Sequence, residues 1–66
     1  MKELRDIHEL LRQYGTWIYT GNSQGDLLLM EEELHEMFRL GLIDAQKYKK
    51  ALLILKRERN EKREKG

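Results

Sequence analysis

Cysteine is absent from this 66-residue chain, which excludes a disulfide framework and a thiolate metal site and fits a reducing compartment. No charged segment followed by an apolar one resembles a secretory leader, and the longest unbroken apolar runs, Leu27 to Met30 and Ala51 to Leu55, are far too short to span a bilayer. The expectation is a soluble, cytoplasmic protein with no membrane partner. An excess of one charge is lacking too: 13 basic groups stand against 12 acidic ones, so the net charge of +1 points to no polyanionic partner. Catalytic chemistry is equally sparse. The only hydroxyl nucleophiles outside tyrosine are Thr16, Thr20 and Ser23, all in or beside a turn, where capping accounts for them and no base is placed near them by spacing. Glu32 and His35 spell E-x-x-H, the form used by carboxylate-bridged di-metal sites, but such sites need a second copy on another helix, and His8 has Arg5 at the corresponding position. No enzyme activity, no metal and no cofactor are expected.

What is present is helix. A chain this short forms one domain whose single core contributes about 3–5 kcal/mol net at most. Leu4, Ile7, Leu11 and Tyr14 follow one another at helical spacing with Leu10 at their flank, and Gly15 follows where a helix stops. Asp6 and Glu9 have capping-box spacing, which offers a start at Asp6 as the alternative to one near Glu3. Leu27, Met30, Leu34, Met37 and Phe38 form a second stripe, preceded by Ser23 and Asp26 in capping-box form and followed by Gly41. Asp44 is the natural N-cap of a third helix.

Folding the chain back at Gly41 opposes Met37 to Tyr48, Leu34 to Ala51 or Leu52, and Met30 to Leu55. The pattern predicts an all-α three-helix bundle with helices near 3–14, 25–40 and 44–60, the second and third forming an antiparallel hairpin. Residues 1–58 make the domain, and residues 59–66 a charged, overhanging end whose Lys62, Arg63 and Lys65 suit a helix C-terminus. Leu29 and Leu40 lie behind the main stripe, roughly 20° apart on the helical wheel. The second helix is therefore expected to touch two neighbours, or to meet another molecule. The expected core is Leu4, Ile7, Leu11, Tyr14, Ile18, Leu27, Met30, Leu34, Met37, Phe38, Tyr48, Ala51, Leu52 and Leu55.

Two features remain for binding. Tyr14 to Gly21, reading Y-G-T-W-I-Y-T-G, holds three of the five aromatic residues, and its β-branched and aromatic content predicts a short extended connector between the first two helices. In an extended strip Trp17 and Tyr19 face away from Ile18, which leaves them candidates for exposure near Arg12. The other feature is charge distribution. Residues 26–43 carry only Arg39 against Asp26, Glu31, Glu32, Glu33 and Glu36, whereas residues 44–66 carry nine basic groups against four acidic ones. With Tyr48 at zero, Lys49 and Lys56 fall near 100° and 80° of the third helix and Lys50 and Arg57 near 200° and 180°, with Leu53 between the two rows. Such rows can follow backbone phosphates or simply solvate a face. A helix-turn-helix is disfavoured, because Met37 and Lys47 occupy positions around Gly41 where that motif wants a small and an apolar residue.

L-L-R-Q-Y-G-T-W-I-Y-T-G from Leu10 to Gly21, M-E-E-E-L from Met30 to Leu34, and A-L-L-I-L-K-R-E from Ala51 to Glu58 resemble the YqgQ-like family of small bacterial, mainly Gram-positive proteins, with Y-G-x-x-I-Y-x-G as the most specific part. The resemblance implies a three-helix fold, a cytoplasmic setting, no known enzyme activity and a suggested role in binding single-stranded nucleic acid. Trp17 falls on a variable position of the string, and Lys47 to Lys50 lie outside the matched segments.

The leading expectation is a small module that binds single-stranded DNA or RNA, with Lys49, Lys50, Lys56 and Arg57 on phosphates and Trp17, Tyr19 and Arg12 on bases. The alternative is a protein-interaction or homo-oligomerisation module working through Leu29, Leu40 and Leu53.

Overall fold

In the computed structural model of the protein, residues 2–64 are described, and side chains through Glu61. The first helix, α1 (Leu4–Gln13), takes the earlier of the two starts its sequence offered, near Glu3 rather than at Asp6. Glu3 is the N-cap, and Asp6 is the N3 residue of its capping box, reaching back so that its carboxylate accepts from the backbone N–H of Lys2 at 2.7 Å and of Glu3 at 3.0 Å. Gly15, at φ +80°, ends α1 in a Schellman motif: its own N–H donates to the Arg12 carbonyl and that of Thr16 to the Leu11 carbonyl, both at 2.9 Å.

The second helix, α2 (Ser23–Arg39), is capped by Asn22 rather than Ser23: the Asn22 side-chain oxygen accepts from Gly25 N–H at 3.0 Å. Asp26 again reaches backwards, to the Thr20 hydroxyl at 2.6 Å and the Thr20 N–H at 2.7 Å. At the other end Gly41, at φ +78°, repeats the Schellman arrangement through Leu42 N–H to the Met37 carbonyl at 2.8 Å. Asp44 caps α3 (Ala45–Glu64) as its sequence position predicts, accepting from Lys47 N–H at 2.7 Å.

Among the described residues the elements are three helices and no strand, with α2 and α3 packed as the predicted antiparallel hairpin. Which helix stands in the middle differs from the expectation. α3 packs on both α1 and α2, whereas direct packing of α1 on α2 is the weakest of the three contacts. α3 therefore buries Ala51, Ile54 and Leu55 together, while Leu29 and Leu40 on the back of α2 stay 42% and 60% exposed. Two contacts set the direction of α1. Arg57 donates to the Lys2 carbonyl at 2.9 Å near one end, and the Tyr14 hydroxyl donates to the Leu42 carbonyl at 3.2 Å near the other, so α1 runs antiparallel to α3 and parallel to α2. Joining two parallel helices requires the chain to travel back along α1, and this is why residues 16–22 are extended.

The buried cluster comprises Ile7, Leu10, Leu11, Leu27, Met30, Leu34, Met37, Ile43, Ala51, Ile54 and Leu55, with Leu4, Ile18 and Tyr48 packed against it. Three expected core residues lie outside it. Tyr14 is 45% exposed because it is the C-cap of α1 and lies across the bundle end towards Leu42. Phe38 is 39% exposed, one ring face stacked on Tyr48 at 4.6 Å between centroids and the rest at the rim of the α2–α3 seam. Leu52, also on that rim, is half-buried. Arg59, which the sequence assigned to the overhang, pairs with Glu31 at 2.9 Å, and α3 continues to Glu64. The expected roles of Lys62, Arg63 and Lys65 at the helix end lie outside the described side chains.

Candidate nucleic-acid interface

The aromatic connector lies between α1 and α2. Thr16 reaches Glu33 on α2 at 3.4 Å, the Trp17 ring lies 5.5 Å from the His8 ring on α1, and Ile18 packs on the core. Alternation along the extended chain then turns Trp17 and Tyr19 outwards, 64% and 77% exposed. Arg12 is exposed one turn after His8, on the same side of α1. His8, which the sequence raised only as a metal ligand and set aside, belongs to this surface; its spacing from Arg12 was the available signal.

The basic rows of α3 point elsewhere. Lys49, Lys50, Lys56 and Arg57 are all exposed, and Leu53 between the rows is 68% exposed. The core of α3 faces α1, α2 and the connector, so the row of Lys49, Leu53 and Lys56 lies on the far side of the domain from Trp17. The rings and the basic rows, whose relative placement the sequence leaves open, thus form two surfaces. They also differ in how far their charge is engaged: Arg57 is held on the Lys2 carbonyl, whereas Lys49, Lys50 and Lys56 enter no ion pair among the described residues.

The sequence profile described as YqgQ-like matches residues 1–61. The chain belongs to the YqgQ-like family. No curated protein and no solved structure matches it. In this YqgQ-like chain the family string can be followed position by position. Tyr14 ties the bundle end to Leu42, Gly15 and Gly21 take positive φ, and Ile18 packs on the core. Tyr19 alone holds nothing in place. It is the most exposed aromatic residue, and its hydroxyl has no hydrogen-bond partner among the described residues.

On the α2–α3 side, His35 Nδ1 stands 3.1 Å from the Tyr48 hydroxyl, in a shallow groove with Leu28, Glu32 and Glu36. Among the described residues no three His, Cys, Asp or Glu side chains are grouped to hold a metal ion. Hydrogen bonds of the Thr20 hydroxyl and then its N–H hold the Asp26 carboxyl below the usual carboxylate range, with His8 contributing less. The N–H groups of Lys2 and then Glu3 do the same for Asp6. Both carboxylates serve helix starts rather than a reaction centre.

Proposed function

We propose that the protein is a small, non-enzymatic module of the bacterial cytoplasm that binds single-stranded nucleic acid. The observation that carries this reading is the pair of rings, Trp17 and Tyr19, exposed on an extended connector that lies along the His8 side of α1, the side on which Arg12 is also exposed. Unpaired bases stack on such rings with about 1–3 kcal/mol each and little dependence on base identity. Lys49, Lys50 and Lys56, with Arg57 beside them, supply a second surface for phosphates, and two surfaces imply a strand that passes around the domain rather than lying in one groove. Among the described residues no helix is long and apolar enough to cross a membrane.

Trp17 is the single tryptophan, so its fluorescence reports directly on the connector. Titration with single-stranded DNA and RNA oligonucleotides at low salt is expected to quench it and to raise the anisotropy of a labelled oligonucleotide, both effects weakening as salt rises. Absence of binding at tens of micromolar, or binding indifferent to salt, overturns the proposal. The exposed Leu29, Leu40 and Leu53 support a second reading, a protein-interaction or self-association module.

A further inference from the structure

The α2–α3 hairpin carries a continuous outer face that neither α1 nor the connector covers. On the α2 side a groove is lined by Leu28, Glu32, His35 and Tyr48, and on the α3 side an apolar depression is formed by Lys49, Leu52, Leu53 and Lys56. Leu28 and Leu53 are 51% and 68% exposed there, beside the partly exposed Phe38–Tyr48 stack. The face is divided by charge. Glu31 is taken up by Arg59 and Glu36 by Arg39, which leaves Glu32 on the α2 half and Lys49 and Lys56 on the α3 half outside any ion pair among the described residues.

We infer that this face is the interface of a two-fold homodimer. An acidic half beside a basic half is self-complementary under one particular two-fold axis, the one parallel to the helices, which lays each α2 antiparallel across the partner's α3. The other face-to-face two-fold would bring α2 onto α2 and α3 onto α3, opposing like charges. The contacts within one chain also fix the heights. α2 ends at Arg39 and α3 starts at Ala45, so Glu32 stands about level with Leu52, and Lys56 lies one helical turn further along α3, on the side where Arg59 meets Glu31. An axis parallel to the helices preserves height, so the long side chain of Lys56 of the partner subunit, one turn away, comes within reach of Glu32 of each copy, with Leu28 and Leu53 as the apolar contacts beside the two ion pairs. An ordinary interface takes about 800 Å² from each partner, roughly a sixth of this chain's 4974 Å² surface.

The dimer does not depend on nucleic-acid binding, but it would occupy Lys49 and Lys56 and compete with it. Sedimentation velocity of the full chain at low salt, from low to high micromolar, tests it without any oligonucleotide present. The wild type is expected to pass from monomer to dimer. Glu32→Lys and Lys56→Glu should each weaken the dimer at least about tenfold, because each places two like-charged contacts across the axis, and the double variant should restore it. A wild type that stays monomeric throughout, single variants that dimerise as well as the wild type, or a helical double variant that fails to recover overturns the inference. Oligonucleotide binding separates this from the preceding reading: Glu32→Lys adds positive charge and leaves it intact, whereas Lys56→Glu weakens it.

Discussion

Asp26 shows how much one carboxylate does for the start of α2. It accepts from both the hydroxyl and the N–H of Thr20, joining the end of the connector to the first turn of the helix, and its pKa is lowered for that reason. A carboxyl depressed in the folded state contributes stability that is complete above its unfolded value of about 3.9 and lost as pH falls through the folded one. Asp26→Asn should therefore be less stable than the wild type at pH 7, with the gap closing as pH drops below about 4. Urea midpoints across that range check it. The glycines give an opposed pair of predictions. A Cβ at Gly41 meets nothing within 4 Å, so Gly41→Ala pays only for its positive φ, about 1–2 kcal/mol of stability. Gly25 lies in the first turn of α2 without positive φ, and a Cβ there meets Thr20 Oγ1 at 3.6 Å and Asn22 Cβ at 3.7 Å, ordinary contact distances. Gly25→Ala should stabilise by about 0.5–1 kcal/mol, read from the same midpoints.

At the scale of the elements, helical spacing and stop signals made all three helices legible, along with the hairpin of α2 and α3. Cap residues were less so. Asn22 and Ser23 are both competent N-caps one position apart, and choosing between them needs the backbone angle at which the connector arrives. The identity of the middle helix was hidden for a related reason. An apolar residue behind a stripe announces a second contact but not whether a neighbour covers it, and Leu29 and Leu40 on α2 resemble Ile54 and Leu53 on α3 in every respect that spacing can register. The path of the connector decides between them: it occupies the space between α1 and α2, so α3 acquires both partners. Truncation should expose the difference. Ile54→Ala removes a side chain 6% exposed and is expected to cost about 2–4 kcal/mol, most of the stability of so small a domain. Leu53→Ala, one position along and 68% exposed, should stay within about 0.5 kcal/mol. Thermal denaturation followed by circular dichroism separates them, and equal losses would mean that α3 is not the central helix.

For the whole molecule, the separation of the two candidate binding surfaces is the property the sequence could not reveal. Alternation along Thr16 to Thr20 anticipated that Trp17 and Tyr19 could face outwards, and the helical wheel grouped the lysines. The distance between the groups depends on how α1 and the connector are laid on the hairpin. With rings on one side and lysines on the other, across a body whose shorter dimensions are 22 and 17 Å, one strand can engage both only if it is long enough to pass around. Binding should therefore change character with oligonucleotide length. For the shortest oligonucleotides that bind, a lysine-face variant such as Lys50→Ala with Lys56→Ala should lower affinity and flatten the salt slope, while Trp17→Ala with Tyr19→Ala has little effect. Beyond a threshold length the ring variant should acquire a cost of its own, because stacking is added to phosphate contact. Above that length the losses from the two distant surfaces should roughly add in the combined variant. A ring variant without cost at any length would mean that rings and lysines serve different partners, and would shift the connector towards protein recognition.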